Sequence, residues 1–217
     1  MIYVYGFVAG RAPRARPRGL RGEPVRFVRC GPVQAVVGDV ARAPALSARA
    51  LRGHDRTVRR LAAAAPALVP AAFGNVLADE AALRAAVAPR GRSLALAARR
   101  ARGCRQMSLR FFGRSPRKAP RAASGTEYLQ RRADHARLRD VPGAAALLAR
   151  LAPLVRAERI ERPRGGRGPG LVASVHHLVP EDALGRYRRV LRGGSGAGMV
   201  VTASGPSPAY AFGDDQP

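Results

Sequence analysis

The 217-residue sequence has no tryptophan, two cysteines and few acidic residues. The cysteines, Cys30 and Cys104, lie far apart and form no C-x-x-C pair, which argues against a zinc-ribbon or thioredoxin-type site. Two isolated thiols are typical of a protein that stays in a reducing cytoplasm, and the sequence also permits a disulfide between them.

Long apolar runs are also missing. The longest uncharged stretch, Leu61 to Ala78, is rich in alanine and is interrupted by Pro66, Pro70 and Gly74. A membrane helix needs about 20 strongly apolar residues, so we expect no membrane span. The first residues are apolar before any basic residue appears, which is the reverse of the order in a signal peptide. We therefore expect a cytoplasmic protein.

The shortage of acids leaves a large positive charge. Thirty-nine basic residues face 14 acidic ones, for a net charge of +25, and every basic residue except Lys118 is arginine. Such a charge can indicate a nucleic-acid partner. However, arginine is abundant here together with Ala, Gly and Pro, all of which have GC-rich codons, and the charge is spread over both halves. We therefore interpret it as mainly compositional and expect no specific nucleic-acid partner.

The first half of the sequence predicts a mixed α+β domain. Ile2–Ala9 is β-branched and aromatic, which favours a buried strand. Residues 25–30 and 33–40 flank Gly31-Pro32 and predict a hairpin. Helices are predicted at 45–65 and from Asp79 to about residue 102, with a short strand and turn within 67–77. We assign residues 1–102 to this domain.

The second half predicts the order strand–helix–strand–strand–helix–strand. The strands are predicted at 104–112, 157–163, 171–179 and 197–205, and the helices at 124–155, interrupted at Pro142-Gly143, and at 180–191. This order is that of a ferredoxin-like fold. The sequence therefore predicts an α+β protein of two domains, the second of which spans residues 103–217.

Two glycine-rich loops resemble phosphate-binding loops in composition. Residues 165–170 lie between two predicted strands, and residues 193–198 follow a helix and precede a strand. A phosphate loop instead follows a strand and opens a helix. We interpret both loops as turns and expect no cofactor.

The histidines do not form a recognisable catalytic or metal site. His176 and His177 are neighbours on a predicted strand, so they face opposite sides and cannot share one metal. His54 precedes Asp55 on a helix, where adjacent side chains diverge by about 100°. No serine lies in a G-x-S-x-G context. We therefore expect neither a metal site nor catalytic residues.

Four sequence blocks are distinctive: "MIYVYGFV" at the start, "HDRTVRRL" with "ALVPAAFGNVL", "SGTEYLQRR", and the tail "SGPSPAYAFG". Together they resemble the gas vesicle GvpF/GvpL family. They occur in the family's order and cover nearly the whole chain. In the tail, Ser207 and Ala209 stand where the family usually has Trp and Pro. The matching residues are Tyr3, Tyr5, Gly6, His54, Val58, Pro70, Phe73, Gly74, Val76, Gly125, Tyr128, Leu129, Arg132, Gly205, Pro206, Pro208, Tyr210 and Phe212.

The resemblance implies a non-enzymatic accessory protein of gas vesicle formation, present in the cytoplasm and at the gas vesicle. It implies association with the hydrophobic shell protein GvpA and with other accessory proteins, which limits aggregation or helps nucleation. It also implies two α+β domains, the second with a modified ferredoxin fold. We expect the tail to fold back so that Tyr210 and Phe212 dock on the core rather than form an exposed hook.

The alternative is a nucleic-acid-binding module on a ferredoxin-like sheet. Such sheets present aromatic side chains on their central strands, where bases stack. The central candidates here, 172–179 and 199–203, contain none. We therefore expect the accessory-protein function.

Overall fold

The computed structural model describes residues 1–13, 17–65, 67–114, 144–162, 169–193 and 200–213. The chain divides into two compact units, residues 1–106 with 207–217 and residues 107–206. Each unit contains helices and an antiparallel sheet, which confirms the predicted α+β class. We call them unit 1 and unit 2.

Unit 1 is built on a five-stranded sheet. Its strands are β1 (Ile2–Ala9), β2 (Val25–Cys30), β3 (Val33–Asp39), β4 (Leu68–Pro70) and β5 (Val76–Leu77). They are arranged in the order β2-β3-β1-β4, with β5 also pairing with β1. The predicted hairpin is formed by β2 and β3, and Gly31 occupies its turn with φ +61°, a conformation that suits glycine.

The described residues of unit 1 form three α-helices, α1 (Ala48–Ala64), α2 (Glu80–Val87) and α3 (Gly91–Ala101). Ser47 caps α1 and Asp79 caps α2, each accepting a backbone N–H in the first turn. The single helix predicted from Asp79 to residue 102 is wrong. A 3-10 turn, Ala88–Arg90, separates α2 from α3, because Pro89 disfavours a continuous helix. No described helix combines the length and apolar character that a membrane span requires.

Strand β1 is buried along all eight residues because both faces of the sheet are covered. Tyr3 and Tyr5 face a core shared with α1, whereas Ile2 and Val4 face a core shared with α2 and α3. Register with β3 shifts between Val4 and Gly6, so the inward phase changes within the strand. This explains why the sequence of β1 shows no clear alternation.

Unit 2 holds a four-stranded sheet in the order β7-β8-β6-β9. The strands are β6 (Cys104–Arg114), β7 (Ala157–Glu161), β8 (Pro169–Pro180) and β9 (Val200–Ser207), and the helices are α4 (Ala144–Leu151) and α5 (Leu184–Arg192). The first and third strands of this unit lie in the middle, which is the ferredoxin-like arrangement that the sequence predicts. The part of the predicted helix before residue 144 lies outside the described residues.

The division of the chain differs from the predicted one at the C-terminus. The predicted second domain spans residues 103–217, whereas residues 207–213 pack with unit 1. The Ala211 N–H donates to Oε1 of Gln106 at 2.8 Å, and the Tyr210 ring lies beside His54 of α1. Such contacts join residues more than about a hundred positions apart, so strand and helix patterns could not reveal them.

Gly6 provides a test of the sheet packing. A Cβ at Gly6 would lie 2.5 Å from the Val69 carbonyl oxygen on β4, so Gly6→Ala should lower the free energy of unfolding by about 1–3 kcal/mol. Gly185 on α5 has no atom within 4 Å of its Cβ position, and Gly185→Ala should raise stability by about 0.5–1 kcal/mol. Urea unfolding of both variants measures the two changes. Equal changes in the two variants would contradict this packing.

Candidate functional site

Side chains from distant parts of unit 1 meet around His54 on α1. The His54 side chain is almost fully buried, at 3% exposure. The ring centroids of four aromatic residues lie 5.7–6.3 Å from that of His54. They are Tyr3, Tyr5, Phe73 and Tyr210. We call these five residues the His54 cluster, and three of the four resembling sequence blocks contribute to it.

A hydrogen-bond chain sets the protonation of His54. The Gly74 N–H donates to the Tyr3 hydroxyl at 3.2 Å, and that hydroxyl lies 2.9 Å from Nδ1 of His54. When the neutral ring carries its hydrogen on Nε2, its Nδ1 accepts a hydrogen bond from this hydroxyl. Burial lowers the pKa of His54, while the Ala71 backbone and Asp55 act in the opposite direction. The ring is thus neutral at physiological pH.

Tyr5 connects the cluster to the loop before β2. Its ring stacks on His54 with an interplanar angle of 21°, and its hydroxyl donates to Oε1 of Glu23. The same hydroxyl accepts the Leu20 N–H at 2.8 Å. Burial, together with Glu23, raises the pKa of Tyr5, so the hydroxyl stays protonated and keeps both contacts. Tyr5 therefore anchors residues 20–23 beneath the sheet.

The Pro70–Gly74 segment shapes the edge of the cluster. Pro70 ends β4 opposite Gly6 of β1, where the two backbones approach too closely for a side chain on Gly6. Gly74 has φ +86°, a left-handed turn conformation in which its N–H reaches Tyr3. These glycines are thus required by backbone geometry around the aromatic rings.

The tail docks on unit 1 as the sequence analysis expected, but its rings remain partly exposed. Pro208 and Ala209 are buried, whereas Tyr210 and Phe212 are half-buried. The Tyr210 hydroxyl donates to Oδ1 of Asp55 at 3.3 Å, and burial is the main cause of its raised pKa. Tyr210 therefore packs at the edge of the core rather than inside it.

A pocket of about 230 Å³ adjoins the tail. Its lining presents polar and apolar surface in similar amounts, and Asn75, Arg90 and Tyr210 bring polar side chains to it. The lining residues are Phe7, Pro70, Ala71, Ala72, Asn75, Arg90, Tyr210 and Gly213. No pair of a nucleophile and a base lines this pocket, so it does not by itself indicate a reaction.

The histidine pair of β8 faces opposite sides of the sheet in unit 2, as predicted. His177 is 1% exposed, and its ring nitrogens lie 2.7 Å from the Tyr187 hydroxyl and 2.8 Å from Glu158. Both polar contacts of a buried ring are thereby satisfied, which indicates a structural role. Among the described residues, no group of three His, Cys, Asp or Glu side chains could hold a metal ion.

The His176 side chain lies beside polar side chains of two other strands, and the sequence did not predict these contacts. Its Nδ1 lies 2.9 Å from the Ser108 hydroxyl, and its Nε2 lies 3.5 Å from Oε2 of Glu161. Burial lowers the pKa of His176, while Glu161 acts in the opposite direction. The distance to Glu161 exceeds that of a good hydrogen bond, so the carboxylate does not orient the ring as in a hydrolase. These residues come from three separate strands, and no local motif could reveal them.

The remaining motif residues lie elsewhere. Gly125, Tyr128, Leu129 and Arg132 lie outside the described residues. Gly205 ends the exposed part of β9 with φ +119°, and its peptide bond to Pro206 is cis. The structure therefore brings the described motif residues of unit 1 and the tail together, whereas Gly205 and Pro206 belong to unit 2.

The buried His54 predicts a pH dependence of stability. In the unfolded chain this ring binds a proton near pH 6.5, whereas the folded protein does so only at lower pH. Stability contributed by neutral His54 is therefore complete above pH 6.5 and is lost as the pH falls toward the folded pKa, by up to about 1.4 kcal/mol per pH unit. Urea unfolding of the wild type and His54→Phe over this range should give curves that converge on acidification. Parallel curves would contradict the assignment.

The docked tail should stabilise the folded protein. Ending the chain after Pro208 removes Tyr210 and Phe212, each worth roughly 2 kcal/mol when half-buried. We expect a melting temperature several degrees lower, because a domain of this size loses about 2–4 °C per kcal/mol. A chain ending after Gly213 is the matched control and should melt like the full-length protein. Equal melting of both truncations would show that the rings contribute nothing to the fold.

The chain matches a known protein family along almost its whole length. The family model described as "Gas vesicle synthesis protein GvpL/GvpF" matches residues 1–214. None of the curated protein sequences matches this chain significantly.

Solved structures show the same fold. The crystal structure of the gas vesicle protein GvpF from Anabaena sp. PCC7120 has a TM-score of 0.70 and 16% identity, covering 99% of this chain and 96% of that one. GvpF from Microcystis aeruginosa has a TM-score of 0.69 and 14% identity, covering 98% of each chain. At this identity the structural likeness shows the fold, and the family model shows the family. The chain belongs to the GvpL/GvpF family of gas vesicle synthesis proteins.

Proposed function

We propose that the protein is a non-enzymatic accessory protein of gas vesicle assembly. In this role it binds the hydrophobic shell protein GvpA and other accessory proteins in the cytoplasm and at the growing vesicle, limiting aggregation or helping nucleation. The observation that carries the proposal is the family match over residues 1–214.

The interior of unit 1 supports a binding role rather than catalysis. The motif histidine is 3% exposed and stays neutral, and the Tyr3 hydroxyl already occupies its Nδ1. A general base must instead reach the proton that it removes from a substrate. The motif residues of unit 1 therefore maintain the fold, and binding falls to the surface.

The surface of unit 1 offers apolar contacts for a hydrophobic partner. Leu46 is 78% exposed, Leu51 43% and Leu96 53%, all on or beside helices. Exposed leucines are favourable contacts for an apolar protein surface because their burial removes apolar area from water. Association with a hydrophobic shell protein would gain from such contacts.

The nucleic-acid alternative gains one observation from the structure. The central strands of unit 2 are β6 and β8, and β6 carries Phe112. Phe111 is buried in the core, so the half-buried Phe112 faces the other side of the sheet, as does the exposed Arg110. A single aromatic residue beside an arginine permits weak, unselective stacking. It does not provide the two or three stacking positions of an RNA-recognition sheet.

Co-purification tests the proposed function. The full-length protein, co-expressed with GvpA, should retain GvpA at about 0.5 M salt, because high salt screens charge contacts but not apolar ones. Duplex DNA bound at low salt should dissociate well before that concentration. A matched control is the same co-expression with an unrelated arginine-rich protein. Loss of GvpA together with sequence-selective DNA binding at about 0.15 M salt would favour the alternative.

A further inference from the structure

The outer edge of strand β9 has no pairing partner among the described residues. The sheet of unit 2 runs β7-β8-β6-β9, so β9 lies at one end of it, next to β6. Five of its eight residues are exposed, including the consecutive Thr202, Ala203, Ser204 and Gly205. Neighbouring residues of a strand face opposite sides of the sheet, so this strand is uncovered on both sides. The N–H and C=O groups along its outer edge therefore face solvent.

The other sheet edges of the described structure carry features that prevent strand addition. Strand β7 has charged side chains at three of its five positions, and β2 has arginine at two of its six. Strand β4 is three residues long and ends in Pro70, and β5 is two residues long. Charge, proline and shortness are the usual protections of an edge strand. Strand β9 is eight residues long, has no charged residue and reaches its proline only at the seventh position.

The part of β9 that can pair is Val200–Ser204. Gly205 follows with φ +119°, which departs from the extended conformation of a strand, and Pro206 has no N–H to donate. Five extended residues span about 17 Å, the length of an ordinary strand. We call Val200–Ser204 the β9 edge.

The side chains of the β9 edge determine the composition of an added strand. Val201 packs against the core of unit 2, so Ala203 shares that face, whereas Val200, Thr202 and Ser204 share the other. Every second side chain of an added strand would thus lie beside an apolar side chain on the core face. No residue of the β9 edge is charged, so an ion in the added strand would lose hydration without gaining a partner there. The edge therefore favours an uncharged strand.

This chemistry distinguishes an extended polypeptide from other occupants. A nucleic acid binds through its phosphates to arginine and lysine, and the β9 edge contains neither. A helix has its backbone groups paired internally, so it cannot pair with a strand edge. A second copy of the chain could add its own β9, but each copy carries a net charge of +25, which keeps like molecules apart. The remaining occupant is a strand of a different, less basic protein.

We infer that the β9 edge is a strand-addition site for an extended, uncharged segment of a partner protein. The segment extends the sheet of unit 2 by one strand, with β-branched side chains on the core face and small or hydroxyl-bearing side chains on the other. Its own backbone groups are then paired and withheld from self-association. The inference rests on the proposed function, since it identifies the chemistry by which this accessory protein binds one of its partners and limits aggregation.

A pair of peptides tests strand addition on the full-length protein. The probe is a fluorescent peptide of about ten alternating valine and threonine residues, N-methylated at every second residue so that only one edge pairs and no fibrils form. The matched control has the same side chains and an N-methyl group on every residue, which removes the N–H donors of both edges. The probe should bind at least about tenfold more tightly than the control, with little change between about 0.05 and 0.5 M salt. Equal binding of the two peptides would overturn the inference.

Two lysine substitutions locate the binding. Ala203→Lys places a charge on the core face of the β9 edge, where an added strand would cover it, and Ala63→Lys places the same charge in the last turn of α1. Both alanines are exposed, so both variants should melt close to the wild-type temperature. Ala203→Lys should weaken probe binding by about tenfold, and Ala63→Lys by less than about twofold. Equal probe affinities of the two variants would contradict the assignment of the site.

Hydrogen exchange of the wild type provides a readout that needs no substitution. Alternate amides of the β9 edge should exchange rapidly in the free protein and at least about tenfold more slowly with the probe bound. Slow exchange of all these amides in the free protein would show that the edge is already covered, which would overturn the inference. A concentration-dependent dimer that Ala203→Lys abolishes would identify a second copy as the occupant and would also overturn it.

Retention of GvpA by the wild type keeps this test distinct from that of the proposed function. Wild-type protein that retains GvpA, combined with probe binding that is independent of the β9 edge, refutes the strand-addition site alone. Wild-type protein that retains no vesicle protein, combined with probe binding that depends on the β9 edge, refutes the proposed function alone.

Discussion

The fold of unit 1 depends on the burial of one neutral histidine among aromatic rings. His54 packs against Tyr3 and Tyr5 of β1, Phe73 after β4, and Tyr210 of the tail. A charged imidazole in this position would lose its hydration without gaining a carboxylate partner, so the packing and the neutral state require each other. Three segments of the chain pack against this single ring on α1. The motif residues of unit 1 thus form an internal scaffold.

Local patterns were sufficient to predict most elements. The hairpin of β2 and β3, helix α1 and the strand order of unit 2 follow from periodicity and turn residues. The break between α2 and α3 was missed although Pro89 marks it, because the strong alanine-rich pattern on either side outweighed one proline. The sequence blocks identified the residues of the His54 cluster, but nothing local indicated that they meet. Tyr3 contacts His54 and Phe73, about 50 and 70 positions away, and His54 contacts Tyr210, about 160 positions away; such pairings leave no periodic signal.

The positions of the charged residues explain more about this protein than its net charge does. Asp55 pairs with Arg59 along α1 at 2.6 Å, and Glu80 pairs with Arg26 and with Arg84. These exposed pairs contribute little individually. Arginines in the last turns of α2, α3 and α5 assist their helices, because the helix dipole is negative there.

The return of residues 207–213 to unit 1 has a consequence for synthesis on the ribosome. The chain leaves unit 1 after Gln106, builds all of unit 2, and only then provides the segment that covers the edge of the His54 cluster. Unit 1 is therefore a discontinuous folding unit, which stays incomplete while about a hundred further residues are translated. During that interval Tyr210 cannot yet cover its side of His54. Unit 1 can therefore close only after all of unit 2 and residues 207–213 have been translated.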